Sequence, residues 1–222
     1  MGNSDVYIGQ MIRLLKTFCL VLIFATSAHA DGEPAGDFDY YVMSLSWTPS
    51  WCELEGDARN SPQCDPDQGF GFTLHGLWPQ YESGWPSYCR TSARDPSRSQ
   101  TEAMADIMGT SGLAWYQWKK HGRCAGLTSE DYFEAARTAY ESINRPEIFH
   151  KLPRALEIRP KVIESAFLEF NEDLSRAGLT VTCKAGLIQE VRICLTKDLE
   201  PRICGEDVNR DCRTPANMSP MR

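Results

Sequence analysis

Leu179-Thr-Val-Thr-Cys183 and Leu187-Ile-Gln-Glu-Val-Arg-Ile-Cys194, joined by the short link Lys184-Ala-Gly186, decide the fold class of this chain. Branched residues dominate both runs and pack well on a pleated surface, and a glycine-containing link between them predicts a β-hairpin. Upstream, Pro160 opens an amphipathic helix whose Val162, Ile163, Ala166, Phe167, Phe170 and Leu174 are expected to share one buried face before Gly178. Earlier still, Thr128-Ser-Glu-Asp131 resembles a capping box, and Tyr132, Phe133, Ala136, Ala139, Tyr140 and Ile143 follow at helical spacing up to Pro146. More helix is expected from about Gln100 and again over Leu113 to Arg123, where Trp115 and Trp118 supply apolar faces.

Towards the N-terminus, the run Tyr-Tyr-Val-Met-Ser-Leu-Ser-Trp between Asp39 and Trp47 is aromatic, branched and partly alternating, so Asp39 to Trp47 reads as a strand that Thr48-Pro49 ends. A second strand is expected from Phe70 to Trp78, with a turn at Pro79. The stretches from Glu53 to Gly71 and from Glu82 to Ser99 are polar and rich in loop-forming residues, so both read as long loops. Strands at both ends of the chain with helices between them cannot all be joined by simple neighbouring crossovers. The expected architecture is therefore α+β: one domain with a mainly antiparallel sheet and several packed helices.

Residues 1–30 read as a signal peptide. Met11-Ile-Arg-Leu-Leu-Lys16 is a positive head, Phe18 to Phe24 is an apolar centre too short to span a bilayer, and Ala28-His29-Ala30 matches a small-x-small cleavage site. Met11 is an alternative initiator, since the ten residues before it are mostly polar. The expected domain is 31–222, with a secreted or periplasmic address and no membrane contact. Cys19 falls in the leader, leaving eight cysteines: Cys52, Cys64, Cys89, Cys124, Cys183, Cys194, Cys204 and Cys212. An even number suits disulfides in an oxidising compartment. With no Cys-x-x-Cys pair and only His75, His121 and His150 left as histidines, neither a metal site nor a cofactor is expected.

The formal charge is −7 for the whole chain and −8 without the leader. A stoichiometric nucleic-acid binder needs a broad basic surface that releases counterions, and here only Lys119, Lys120 and Arg123 cluster. Such a balance argues against tight binding of a polyanion but leaves room for an enzyme that turns one over.

Two segments carry candidate chemistry. Phe72-Thr-Leu-His-Gly-Leu-Trp-Pro-Gln80 sets His75 at a strand end beside Gly76, which permits close approach, and Trp78, which offers a stacking face. Alone, His75 reads equally as a structural histidine bonded to a loop carbonyl. Trp115-Tyr-Gln-Trp-Lys-Lys-His-Gly-Arg-Cys124 spaces Gln117 and His121, and likewise Tyr116 and Lys120, four apart, gathering polar groups on one side of a helix. Alone, that segment also reads as an exposed basic face.

Together the two segments resemble the signature segments of the ribonuclease T2 family of secreted acid ribonucleases, and Glu190-Val-Arg-Ile-Cys194 with Lys197-Asp198 resembles that family's late strand. The resemblance implies a metal-independent endonuclease acting on single-stranded RNA. His121 would take the ribose 2′-hydroxyl proton as general base, His75 would protonate the departing 5′-oxygen as general acid, and Lys120 would stabilise charge on phosphorus. The product of the first step would be a 2′,3′-cyclic phosphate. DNA lacks the attacking hydroxyl and is expected to be no stable partner; a monomer is expected. Trp78, Tyr116 and Trp118 are the substrate-contact candidates, with Tyr81, Trp85 and Tyr88 nearby as possible stacking platforms. In the family the helix reads His-Glu-Trp before the lysine and histidine; here Tyr116 and Gln117 stand in the first two places, so Gln117 keeps hydrogen bonding at a catalytic position without charge. That change also motivates an alternative, a catalytically weakened RNA- or protein-binding protein on the same fold. The resemblance implies a Cys89–Cys124 bridge, and Cys52–Cys64 with Cys194–Cys204 nested inside Cys183–Cys212 are the suggested remaining pairs.

Overall fold

The structure, a computed structural model, describes residues 32–222; the expected leader and Cys19 lie outside the described residues. Six strands and three longer helices organise the domain. They are β1 (Tyr40–Trp47), β2 (Phe72–Gln80), α1 (Ser111–Lys120), α2 (Ser129–Ser142), β3 (Leu156–Ile158), α3 (Pro160–Glu169), β4 (Leu179–Lys184), β5 (Leu187–Leu195) and β6 (Ala216–Met218). The strand order is β2-β1-β5-β6-β3, with β4 on the other edge of β5; every pairing is antiparallel except a single parallel step from β5 to β6. The α+β expectation holds.

β4 and β5 form the expected hairpin. Its two turn residues, Ala185 and Gly186, have φ of 49° and 79°, the left-handed pair that matches the twist of the flanking strands. β5 is flanked by β1 and β4, and Ile188, Val191, Ile193 and Leu195 are fully buried in consequence. Alternation along β1 divides the sheet into two faces. Tyr41, Met43, Leu45 and Trp47 join the main core with the helices, whereas Tyr40 and Val42 pack with Cys194, Cys204 and Val208 in a smaller cluster on the opposite side.

Two register shifts disturb this regular sheet. β1 pairs Ser44 with Gly76 but Leu45 with Leu74, so His75 is the extra residue of a bulge. β5 pairs Glu190 with Thr182 but Ile188 with Cys183, which leaves Gln189 as a second extra residue. A bulge bends its strand and re-aims the side chains around it.

Thr128 caps α2 by accepting from the Asp131 backbone N–H, and Tyr132 and Tyr140 of that helix donate hydroxyl hydrogen bonds to the Leu77 and Phe72 carbonyls, fastening it to β2. Three expectations need correction. The stretch after Glu53 is not an open loop: helical turns run from Thr48 to Arg59 and over Pro62–Cys64, tied by Cys52–Cys64. α3 stops at Glu169, and Val162 (55 % exposed) and Phe170 (53 %) face solvent while Ile163 and Phe167 fill the core. Its buried stripe is narrower because the neighbouring place is taken by Glu164, whose carboxylate accepts from Arg176 at 2.6 Å. β2 runs through Pro79 to Gln80 rather than turning there. All four suggested disulfides are present: Cys52–Cys64, Cys89–Cys124, Cys183–Cys212 and Cys194–Cys204. No helix among the described residues is long and apolar enough to cross a membrane.

Candidate active site

The face of the sheet opposite the main core carries the site, because beyond Tyr40 β1 presents only small or modest side chains there. Val42, Ser44 and Ser46 stand opposite Trp78, Gly76 and Thr73 of β2 and opposite Cys194, Arg192 and Glu190 of β5. The low floor leaves room for long side chains from both flanking strands to meet above β1. Across this floor lies the C-terminal end of α1, which supplies Tyr116, Gln117 and Lys120, with His121 as the residue that ends the helix. The Cys89–Cys124 disulfide and a hydrogen bond from the Tyr88 N–H to the Lys120 carbonyl fix that end of the helix.

His75, Trp78, Tyr116, Gln117, Lys120 and His121 line one cavity of about 400 Å³, together with Trp85, Glu190 and Arg192. A second cavity of about 610 Å³ shares His75, Tyr116, Gln189 and Glu190 and extends over Glu55, Arg59 and Gln63. Trp78 is the common wall between the two histidines. His121 stacks on it at 5.2 Å with 28° between planes, and His75 meets it edge-on, also at 5.2 Å, so twice that distance bounds the separation of the imidazoles. The indole N–H of Trp78 donates to Gln117 Oε1 at 2.7 Å. Any Cβ at position 76 would collide with both of those atoms, which explains the glycine.

The two histidines have opposite surroundings. His75 Nδ1 lies 2.6 Å from Glu190 Oε1, while the other carboxylate oxygen accepts from Arg192 Nε at 2.9 Å and Nη2 at 2.7 Å. Burial would raise the Glu190 pKa, but the bond to His75 and the charges of His75 and Arg192 outweigh it and hold the carboxyl at about 2. His121 is only 6 % exposed, and its Nδ1 has no hydrogen-bond partner among the described residues. Its burial first, then the Lys120 ammonium and then charge on His75, push its pKa down to about 3, which keeps the ring neutral.

The remaining candidates separate. Trp118 is fully buried in the main core and its indole N–H donates to Asp95 at 2.8 Å, so it has no face for substrate; as a substrate contact it is corrected to a core residue. Of the basic cluster, Arg123 pairs with Asp95 at 2.6 Å and Lys119 lies over Trp115, leaving Lys120 as its only member at the cavity. Gln117 is 1 % exposed with its oxygen engaged by Trp78. Glu190 and Arg192 were legible only as part of a strand. Their signal was an alternating pair of charges in an otherwise branched run, a polar face on a strand buried by its neighbours. Among the described residues, the one group of three close metal-type donors is Cys52, Asp57 and Cys64, and its two sulfurs are joined in a disulfide.

The sequence model of the ribonuclease T2 family matches residues 38–212, and the chain belongs to that family. A ribonuclease of Aeromonas hydrophila is 42 % identical over 127 residues, covering 57 % of this chain and 56 % of that one. The chain spans about half the length of such curated relatives. Among solved structures, a ribonuclease-related protein from Calystegia sepium superposes with a TM-score of 0.63 at 22 % identity, over 83 % of this chain and 97 % of that one. Ribonuclease NT, solved in complex with 5′-AMP, gives 0.63 at 24 % identity over 84 % and 100 %. These likenesses show the fold.

Proposed function

We propose that the protein is a metal-independent endoribonuclease that cleaves single-stranded RNA by transphosphorylation. His121 takes the proton from the ribose 2′-hydroxyl, the 2′-oxygen bonds to phosphorus, and the bond from phosphorus to the 5′-oxygen breaks as His75 Nε2 gives that oxygen its proton. A 2′,3′-cyclic phosphate and a free 5′-hydroxyl result. Water then opens the cyclic ester with the two histidines exchanging roles, as microscopic reversibility requires.

The observation that carries this reading is the contrast between two imidazoles lining one cavity, one against a carboxylate and the other beside an ammonium. Opposite electrostatic surroundings for two imidazoles in one cavity suit one to give a proton and the other to take it. His121, kept neutral, is suited to accept; Lys120 beside it is suited to stabilise the phosphorane, a role worth roughly 3–4 kcal/mol for a preorganised cation or donor. Gln117 fits a structural task, holding Trp78 against His121. Trp85, 57 % exposed on the cavity rim, offers a nucleobase a more open face than Trp78 does. The nucleotide bound to the solved relative supports a ligand of this class. Four disulfides suit a secreted or periplasmic protein.

The test is digestion of homopolymeric RNAs in excess chelator, with products analysed for cyclic phosphate. His75→Ala and His121→Ala each abolish cleavage on this reading. Saturable RNA binding with no turnover by the unmodified protein would reject it in favour of a non-catalytic binding role.

A further inference from the structure

Glu190 is 2 % exposed on the face of the sheet opposite the main core, on a strand whose core-facing positions are filled by Ile188, Val191 and Ile193. Burying a carboxylate is costly, and a buried ion pair is no better for stability than well-packed apolar residues of similar size. Its position needs another account. One carboxylate oxygen accepts two hydrogen bonds from the Arg192 guanidinium, which fixes the rotation of the group and turns the second oxygen to His75 Nδ1 at 2.6 Å. That contact joins strands that are not paired with each other, β2 and β5, over the Ser44 and Ser46 floor of β1. It is made where both strands carry an extra residue, His75 itself and Gln189 next to Glu190. With Nδ1 held by Glu190, Nε2 is the ring nitrogen left to serve the cavity.

We propose that Glu190 is the positioning residue of the proton donor: it accepts from Nδ1 of the His75 imidazolium and fixes the tilt of the ring so that Nε2 aims its own proton at the leaving 5′-oxygen, and Arg192 holds Glu190 in that orientation. The proposal rests on the reading of His75 as general acid. It requires no further reactant, because the proton lost by Nε2 is the one the leaving oxygen gains.

The experiment compares two substrates. In a dinucleotide the leaving ribose oxygen must be protonated, whereas in a nucleoside 3′-(4-nitrophenyl phosphate) the nitrophenolate departs as a stable anion without help. A residue that acts through the proton donor matters for the first and hardly for the second; a residue that merely supports the fold harms both alike. Glu190→Gln is expected to lower kcat on the dinucleotide about 10- to 100-fold, part of the 10²–10⁴ a well-placed donor supplies. Its KM stays near the native value, and the aryl ester loses less than about threefold. Should thermal melting show that Glu190→Gln does not fold, Glu190→Asp keeps the charge, draws the carboxylate back from His75, and is read by the same comparison. His75→Ala is the reference. If it harms both substrates equally, the acid assignment is wrong and the proposal falls with it. If it shows the split but the folded Glu190 variant loses activity uniformly or not at all, the acid stands and the positioning role of Glu190 is rejected.

Discussion

Gly76→Ala adds one methyl group where β2 and the end of α1 meet. An ideal Cβ there lies 2.3 Å from Gln117 Oε1 and 2.3 Å from Trp78 Nε1, and each atom must retreat about 1 Å to reach ordinary contact, a displacement of the kind that overpacking forces. They cannot both do so and keep their 2.7 Å hydrogen bond. The lost bond is worth about 1 kcal/mol, and disturbing the rings that Trp78 supports costs about as much again. A loss of roughly 2 kcal/mol corresponds to about 4–8 °C in Tm for a domain of this size. Activity suffers more, because His121 stacks on the indole that has to move, and a misplacement of about 1 Å at a reacting group costs about 100-fold. Circular-dichroism melting together with kcat/KM on a dinucleotide measures both quantities. In a Gln117→Ala background the same methyl meets one obstacle instead of two and should destabilise less. Native melting and full activity in Gly76→Ala would show that the Gln117–Trp78–His121 chain does not organise the site.

Acid sensitivity follows from His121 and Glu190. Both have folded pKa values below their ordinary 6.5 and 4.5, so the unfolded chain binds more protons: the stability they contribute is full above about pH 6.5 and is lost as pH falls towards 3 and then 2. Urea midpoints measured from pH 7 to 3 should fall, and His121→Ala should flatten the upper part of that slope. Lys120→Met removes a charge that depresses His121, so the acid limb of kcat/KM moves to higher pH while kcat falls by about two orders of magnitude or more; an unmoved limb would exclude His121 as the base. Opening Cys89–Cys124 with paired alanines releases a loop spanning 35 residues and is expected to cost about 4 kcal/mol, against about 3 for Cys194–Cys204, in denaturant titrations. Activity of the folded fraction should drop only for the first, since only that bridge ties down the end of α1. Gln117→Glu keeps an acceptor for the Trp78 N–H and places a negative charge near His121, raising its pKa towards the working range and with it kcat near neutral pH; a slower enzyme at every pH would refute that reasoning.

Whatever depended on neighbours along the chain was legible in the sequence. The β4–β5 hairpin needed only branched residues around a two-residue turn, and α2 needed only Thr128 and a helical stripe. The two candidate histidines also lie in compact segments, although the family resemblance, not spacing alone, ties them together. What remained hidden is pairwise. The bulge at His75 exists only relative to β1, where Ser44 and Leu45 are adjacent but their partners on β2 are not. β3 and β6 are three residues each, too short for periodicity, and exist because they pair with one another. Val162 and Phe170 misled because apolar character on a helix does not say which turn the core reaches. Trp118 misled for the opposite reason: within one helical segment, the tryptophan nearest His121 in sequence faces away from the cavity.

The charge balance acquires a physical meaning from the same pairings. A chain of formal charge −7 is poorly suited to hold a polyanion, and many basic side chains away from the cleft are paired: Arg123 with Asp95, Arg137 with Asp106, Arg176 with Glu164, Lys184 with Glu55, Arg202 with Glu82 and Arg222 with Asp57. Such pairs leave little positive field to attract phosphates along the surface. At the cavity the arrangement differs. Lys120 lies at 5.9 Å over the Tyr116 ring, and Arg192, though bonded to Glu190, also faces the indole of Trp78 at 5.3 Å. On the proposed mechanism Lys120 sets a positive charge beside the phosphodiester that gains charge in the transition state, while Arg192 is balanced by Glu190. Binding spread evenly over substrate, transition state and product would lower KM without hastening the reaction, whereas charge confined to the reacting phosphate favours the phosphorane and lets the shortened RNA leave. On the proposed reading, the acidic surface and the lysine at the cavity serve the same end, turnover in place of retention.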